Sequence, residues 1–201
     1  EVRQGVAVSA KLLAFITKSS GGNKRDEEEI TLGMAYRPNR SKWIILERLD
    51  VSLFNESGDS NNDGMRIVNH LHANFMKNRK WQTSFYYGLK YVRENFDGDR
   101  YDGYTDMLAV ESRYNITPKW DVGLHGAVRH SWNSNQFDYS FGGDLGYSPI
   151  TNTWVSLGYN VVGFEDDDFS SANYTAEGPY MRIRAKFDQQ SVKDAAQWLN
   201  R

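Results

Sequence analysis

The segment from Gly178 to Phe187 constrains the fold more than any other stretch, because every second residue after its proline is apolar and the residues between are cationic. The apolar positions are Met181, Ile183, Ala185 and Phe187. The cationic positions are Arg182, Arg184 and Lys186. Successive side chains of a strand leave on opposite faces, so this pattern predicts a β-strand with one apolar and one charged face. A soluble sheet with one wet face and the last strand of a membrane barrel both produce it.

Composition decides how such a chain could enter a membrane. The mean hydropathy is -0.68, and no stretch of the 201 residues approaches the run of about 18 apolar residues that a transmembrane helix needs. Aromatic residues make up 14% of the chain, which suits the aromatic girdles of a membrane barrel. Cysteine is absent, which excludes a disulfide framework and a thiolate metal site. The formal net charge of -2 argues against a nucleic-acid partner.

Nine further segments repeat the alternation, which gives about ten strands of the length that a membrane strand needs. Short turns alternate with polar stretches that are predicted as long loops, at residues 17–29, 55–64, 95–103, 132–136 and 165–175. Outer-membrane barrels keep long loops outside and tight turns on the periplasmic side, and an even strand number places both chain ends on the turn side. We therefore predict an all-β fold, a transmembrane antiparallel up-and-down β-barrel of about ten strands, over residues 1–188. Both termini are expected to be periplasmic and the long loops extracellular.

Two further patterns refine this prediction. Four tryptophans each begin a strand just after a short turn and predict an aromatic belt at one membrane interface: Trp43, Trp81, Trp120 and Trp154. After the last strand, residues 189–201 change period, with apolar residues spaced like a helical face at Val192, Ala195, Ala196 and Leu199. A short periplasmic helix and a frayed tail are both compatible with that spacing.

The segment from Trp154 to Phe169, continued through Gly178-Pro179-Tyr180 to Asp188, resembles the C-terminal barrel of long, repeat-containing surface proteins of Gram-negative bacteria. Ala35-Tyr36-Arg37-Pro38 and Lys119-Trp120-Asp121-Val122-Gly123 resemble earlier pieces of the same pattern. The resemblance implies a bacterial outer-membrane location, insertion by the barrel-assembly machinery, and a larger N-terminal region or partner protein that the barrel anchors. It implies no catalytic residue.

The charged positions on the non-apolar face of the strands predict a lumen network of both signs. Its members are Arg48, Asp50, Arg66, Lys90, Glu111, Arg113, Asp121, Arg129, Asp138, Asp144, Arg182, Arg184 and Lys186. In a narrow barrel such side chains meet across the interior as ion pairs, which the low dielectric strengthens and desolvation opposes. A largely plugged structural core is the favoured interpretation, and a narrow path for ions or solutes is the alternative. For the three cations of the last strand, Asp138, Asp144 and carboxylates of the first strands are the expected partners.

Two histidine patterns raise chemical alternatives. His70 and His72 share one strand face and His125 could supply a third nitrogen to a zinc ion, but no spacing places it near them. His130 and Ser131 lie near a loop-side rim, where barrel hydrolases keep their nucleophiles, yet adjacent strand residues point to opposite faces. Lumen histidines with hydrogen-bond partners are favoured over a zinc site, and the chain is predicted not to be an enzyme.

The acidic loops carry a weak calcium pattern. Asp59, Asn61 and Asp63, followed by Gly64, match the first half of a calcium loop, but His70 stands where the closing glutamate should be. Other acidic stretches lie at residues 97–102 and 165–168. A turn-rich solvated loop is favoured, with Ca²⁺ or Mg²⁺ bridging these carboxylates to lipopolysaccharide phosphates as the alternative. No other cofactor is predicted.

These patterns together predict a monomeric barrel in contact with outer-membrane lipid and lipopolysaccharide, whose role is to anchor or display a larger surface protein. A small pore for ions or small solutes is the alternative function, and a barrel enzyme is the third.

Overall fold

The computed structural model describes residues 4–19, 22–58, 61–150, 153–166, 169 and 175–185. They form ten antiparallel strands in a single sheet whose spatial order is the order of the sequence. The strands are β1 (Val6–Lys18), β2 (Lys24–Tyr36), β3 (Trp43–Ser57), β4 (Asn62–Met76), β5 (Trp81–Phe96), β6 (Asp99–Asn115), β7 (Trp120–Ser131), β8 (Gln136–Tyr147), β9 (Thr153–Val162) and β10 (Gly178–Ala185). The prediction of ten up-and-down strands is confirmed. Lys186, Phe187 and the expected helix or tail at residues 189–201 lie outside the described residues.

The two faces of the sheet are reversed relative to a water-soluble protein. Apolar side chains on the outer face are exposed, such as Leu157 at 63% and Ile183 at 63%. Polar side chains on the inner face are buried, such as Asp144 at 5% and Asn160 at 0%. This arrangement places the apolar face where lipid would contact it and the polar face around a lumen. Within the described residues, no helix is long and apolar enough to cross a bilayer.

The sheet curls so that distant strands meet across the lumen. Arg182 on β10 lies 3.6 Å from the carboxylate of Glu111 on β6, and Tyr180 donates a hydrogen bond of 3.3 Å to Asp144 on β8. Every consecutive pair of strands is joined by an antiparallel ladder, but in the described part of the chain no ladder joins β10 to β1. The expected pairing of the last strand with the first is therefore not seen. Because lipid leaves an unpaired strand edge without hydrogen-bond partners, this seam is where the barrel must be completed in a membrane.

Three of the predicted long loops are wrong, because most of their residues are paired strand. β1 continues to Lys18, and β2 already begins at Lys24. Only residues 58–61 separate β3 from β4, and a tight turn joins β5 to β6. That turn is Asp97-Gly98, with φ of 48° and 97°, the backbone of a two-residue hairpin. Beyond the membrane both strand faces meet water, so polar residues occupy both and the alternation that marks a strand disappears. Residues 132–135 are a connection as predicted, although only four residues long, and the described residues between β9 and β10, at 163–166, 169 and 175–177, lie outside any strand, as predicted.

Aromatic side chains form two rings on the outer face. Trp43, Trp81 and Trp120 are 41% to 44% exposed at the turn side, which is the end of the barrel that carries the β2–β3, β4–β5, β6–β7 and β8–β9 connections. Trp154 instead lies on the inner face with Ser156 and lines a lumen cavity. Trp154 departs from the predicted belt because it is the second residue of β9 and has the same parity as the inner-face residue Ser156. The loop side carries a second ring that was not predicted, formed by Tyr104, Trp132 and Phe137.

The separation of the rings fits a bilayer. From Tyr104 to Tyr114, β6 rises roughly 33 Å along its own axis, or about 23 Å along the barrel axis at a ~45° tilt. An outer-membrane barrel has an apolar band about 25 Å tall between its aromatic girdles. Leu108 lies between the two rings and is 50% exposed on the outer face.

Substituting Leu108 with arginine is expected to lower the free energy of unfolding in lipid vesicles by about 2–4 kcal/mol, because the guanidinium would sit near the bilayer midplane. The same change at Phe96, which is 55% exposed next to the Asp97-Gly98 turn and beyond the rings, is expected to cost less than about 1 kcal/mol. Urea unfolding followed by tryptophan fluorescence compares Leu108→Arg with Phe96→Arg. Equal losses in the two variants would contradict the placement of the bilayer.

Candidate functional site in the lumen

A cluster around Arg113 ties three neighbouring strands together on the inner face. Arg113 donates to Glu111 at 2.9 Å and to both carboxylate oxygens of Asp144 at 2.7 and 3.1 Å, and it also bonds Asp121. The Asp144 side chain has no exposed surface, and the other three are 11% to 17% exposed. One guanidinium therefore compensates three carboxylates in the interior. We call these four residues the Arg113 cluster.

Glycines opposite the Arg113 cluster leave room for it. A Cβ atom at Gly123 would lie 2.9 Å from both Nη1 of Arg113 and Oδ2 of Asp144, and one at Gly146 would lie 2.5 Å from Asp121 Oδ1. Register explains the placement, since Gly123 pairs with Arg113 and with Asp144, while Gly146 pairs with Asp121. Glycines that stand opposite long charged side chains on β6, β7 and β8 thus make room for the Arg113 cluster on the inner face of the sheet.

A second cluster holds the β9–β10 loop inside the barrel. Arg129 on β7 donates to Asp138 on β8 at 2.7 Å and to Asp166 in the loop at 2.7 Å. Lys90 on β5 lies 3.6 Å from the same Asp166 carboxylate, whose side chain is 7% exposed. Arg129 also donates to the backbone carbonyl of Glu165 at 3.0 Å. Two neighbouring parts of the sheet, β5 and β7, therefore bind one loop carboxylate.

The same loop places two aromatic rings across the loop side of the lumen. Phe169 is 2% exposed and contacts the rings of Tyr86 and His70 edge-on, at centroid distances of 6.5 Å each. Phe164 is 9% exposed beneath the Arg129 guanidinium, whose Cζ lies 4.9 Å from the ring centroid. We call Phe164 and Phe169 the aromatic plug, because with Val68, Tyr86 and Met107 they form the one buried hydrophobic cluster found among the described residues.

Polar cavities continue from the plug toward the turn side. A cavity of about 380 Å³ near mid-height shares Gln82, Arg113 and Arg184 with a cavity of about 290 Å³ that reaches the β4–β5 turn at Asn78 and Lys80. A third cavity of about 520 Å³ runs along β1 to β4 and meets the first at His72. Polar space thus runs from the turn-side mouth to the middle of the lumen.

The predicted lumen charges lie on the inner face but separate into local groups. Arg48 pairs with Asp50 at 2.8 Å, Arg66 lines the 520 Å³ cavity, and the remaining described members belong to the two clusters above or to β10. Of the three cations expected to pair with Asp138, Asp144 or carboxylates of the first strands, Arg182 does not, and Lys186 lies outside the described residues. Asp138 pairs with Arg129 and Asp144 with Arg113, while Arg182 lies nearest Glu111. Asp138 on β8 is bound by Arg129 on the adjacent strand β7, and Asp144 on β8 is bound by Arg113 on β6 across β7.

Two of the three lumen histidines, His70 and His72, share Tyr86 as a neighbour, whereas His125 lies against Asn160. Nδ1 of His70 lies 2.8 Å from the Tyr86 hydroxyl, the His72 ring packs on Tyr86 at 4.6 Å, and Nε2 of His125 lies 2.7 Å from Oδ1 of Asn160. Among the described residues, no group of three or more potential metal ligands of the histidine and carboxylate type is close enough to hold an ion.

His130 and Ser131 form no catalytic pair in the described strands. His130 stacks on Phe137 at 4.2 Å and lies 3.8 Å from Asp106 on the outer face. Ser131, its chain neighbour, ends β7 on the opposite face.

The calcium pattern is only partly described, since Asp59 lies outside the described residues. The Asn61 backbone amide donates to Asp97 at 3.0 Å, and Asp63 accepts from Asn95 at 3.1 Å within the β4–β5 ladder. Asp63 thus belongs to a strand rather than to a loop that could wrap an ion.

Sequence reasoning missed the residues that narrow the lumen: Tyr86, Asn160, Phe164, Asp166 and Phe169. The alternation along β5 and β9 puts Tyr86 and Asn160 on the inner face but indicates no role for them. Phe164, Asp166 and Phe169 fall in a loop that was assumed to point outward. The signal available was the two phenylalanines themselves, since large apolar side chains are rarely left in a fully solvated acidic loop.

Comparisons with known proteins support the fold. No family model matches the chain, and no curated protein matches it. Among solved structures, the NanC porin in a rhombohedral crystal form is similar with a TM-score of 0.51 at 10% sequence identity, covering 91% of this chain and 98% of that chain. The KdgM porin in complex with disordered oligogalacturonate has a TM-score of 0.37 at 12% identity, covering 91% of this chain and 96% of that one. The exposed apolar face, the polar lumen and the similarity to NanC together show that this chain has a porin-like transmembrane β-barrel fold.

Proposed function

We propose that this protein is a small outer-membrane pore for ions or small solutes, narrowed on its loop side by the aromatic plug. The observation that carries the proposal is the pair of adjacent cavities, lined by the same charged and polar side chains, inside a porin-like fold. The described chain ends, at the start of β1 and the end of β10, both lie on the side opposite the β9–β10 connection at residues 163–177, the longest between consecutive strands. Outer-membrane barrels carry their longer loops on the outer side, which favours a periplasmic position for both ends. Lipid, lipopolysaccharide and the barrel-assembly machinery are the partners that such a location implies.

The charge of the passage favours anions. The ionisable residues lining the turn-side cavity are Arg79, Lys80, Arg113, Asp121 and Arg184. The mid-height cavity is lined by one carboxylate and three arginines, Glu111, Arg113, Arg182 and Arg184, beside His72, Tyr86 and His125. Cations outnumber carboxylates in both, so the passage should attract anions and repel small cations.

An anchoring or display role for a larger surface protein stays a prediction, as do divalent cations on the acidic outer surface. Anchoring requires only the lipid-facing surface, and a plugged lumen would serve it equally well. The polar cavities and their cationic lining have no role in an anchor, which is why we propose the pore. The proposal assigns no catalytic step, in keeping with the expectation that the chain is not an enzyme.

Planar-bilayer recording under a potassium chloride gradient tests the pore. We expect discrete conductance steps with a reversal potential of the sign that chloride permeation produces. Since the plug narrows the native lumen, Phe169→Ala is recorded beside the wild type. A silent bilayer with both folded proteins would overturn the pore, and cation selectivity would overturn the role given to the arginines.

A further inference from the structure

The mid-height cavity contains a set of buried polar atoms whose hydrogen-bonding capacity is not used within the protein. His125 is 7% exposed and Ser140 is 3% exposed, and both line the 380 Å³ cavity with Arg182. Nδ1 of His125, Oγ of Ser140, and Nη1 and Nη2 of Arg182 have no hydrogen-bond partner among the described residues. A buried polar group without a partner is costly, so three such residues converging on one cavity point to a ligand.

Arg182 supplies the charge. Its side chain is 20% exposed, its two terminal nitrogens are buried, and its nearest carboxylate is Glu111 at 3.6 Å, beyond hydrogen-bond length. Glu111 already accepts a hydrogen bond of 2.9 Å from Arg113. The planar pair of donors on Arg182 therefore remains able to bind the two oxygens of a carboxylate.

His125 supplies an acceptor. Asn160 donates through Nδ2 to the Ala176 carbonyl at 2.8 Å, which turns its Oδ1 toward Nε2 of His125. Nε2 of the neutral imidazole then carries the proton and Nδ1 carries a lone pair. A ligand hydroxyl can donate to that lone pair, and the Ser140 hydroxyl can donate or accept beside it.

From this combination we propose that the mid-height cavity is a binding site for a small hydroxycarboxylate, whose carboxylate binds Arg182 and whose hydroxyl binds His125 and Ser140. The proposal deepens the proposed pore function and rests on it only for the route by which a solute reaches the cavity. A volume of about 380 Å³ lies within the usual range for small-molecule sites.

Calorimetric titration of the folded, detergent-solubilised protein tests the site with two probes of nearly the same shape, lactate and propionate. Lactate should bind roughly tenfold more tightly than propionate, since propionate lacks the hydroxyl. Arg182→Gln should weaken both probes by about tenfold or more. Ser140→Ala and His125→Phe should remove the preference for lactate while leaving propionate affinity within about twofold.

Arg48→Gln is the matched control. Arg48 pairs with Asp50 on β3, away from the mid-height cavity, so this substitution should leave both affinities unchanged. Heat-modifiable electrophoretic mobility shows that each variant has folded, and the serine variant keeps the test decisive if the arginine variant does not fold. Equal affinities for lactate and propionate, tighter binding of inorganic phosphate than of lactate, or no heat with either acid would overturn the proposal. Binding without conductance would overturn the pore alone, and conductance without binding would overturn the site alone.

Discussion

Replacing Arg113 with methionine is expected to lower the free energy of unfolding by about 3–5 kcal/mol, more than any other single lumen substitution. Arg113 is the cation that Glu111, Asp121 and Asp144 share, and the Asp144 side chain has no exposed surface. Methionine fills a similar volume but carries no charge, so the variant leaves three carboxylates close together in the interior. Urea unfolding of the lipid-folded barrel, followed by tryptophan fluorescence, measures the loss.

Arg48→Met is the control for this change. Arg48 pairs with Asp50 alone and its side chain is 63% exposed, so its loss should cost less than about 1 kcal/mol. Unfolding midpoints that shift equally in the two variants would show that the Arg113 cluster does not stabilise the barrel. A partial recovery in Arg113→Met with Asp144→Asn would support the account, since that second change removes one uncompensated charge.

Replacing Phe169 with alanine is expected to raise single-channel conductance several-fold. Phe169 is 2% exposed against Tyr86 and His70, and it narrows the loop side of the lumen. Asp166→Asn should act in the same direction more weakly, because it weakens the attraction of Arg129 and Lys90 for the loop while leaving the ring in place. Planar-bilayer recording at fixed voltage gives both values.

Phe137→Ala is the control, since Phe137 is 49% exposed on the outer face and stacks on His130 outside the lumen. Its conductance should equal that of the wild type. If Phe169→Ala also leaves conductance unchanged, the β9–β10 loop does not limit the passage and the aromatic plug has no role in permeation.

The membrane-facing half of this fold was predictable from the sequence because lipid imposes a simple rule on every strand. Where one face of a strand meets hydrocarbon, apolar residues such as Leu157 and Ile183 must alternate with polar residues such as Ser156 and Arg182. The apolar and polar faces of each strand can therefore be predicted from that segment alone. The ladder register confirms that Ser156 pairs with Arg182 on the inner face and Leu157 with Met181 on the outer face.

The parts that were not predictable depend on contacts between segments far apart in the sequence. Arg25 pairs with Glu56 across β2 and β3 at 3.6 Å in a region that looked like two loops, because polar residues on both faces hide a strand. Asp166 looked like one of several solvated carboxylates, and only the positions of Arg129 and Lys90 on β7 and β5 place it inside the barrel. The partner of Arg182 likewise follows from the curvature of the sheet, which no local pattern contains.

In the proposed pore, solutes pass along the polar face of the barrel while the apolar face contacts lipid, and two adjacent residues of β5 distinguish these faces. Ser84 lines the mid-height cavity, whereas Thr83 points to the outer face. The chain contains no cysteine, so Ser84→Cys and Thr83→Cys each introduce a single thiol. A membrane-impermeant, negatively charged methanethiosulfonate reagent should block the current through Ser84→Cys and leave Thr83→Cys unchanged. Unaltered current in Ser84→Cys, with block in Thr83→Cys, would contradict the account.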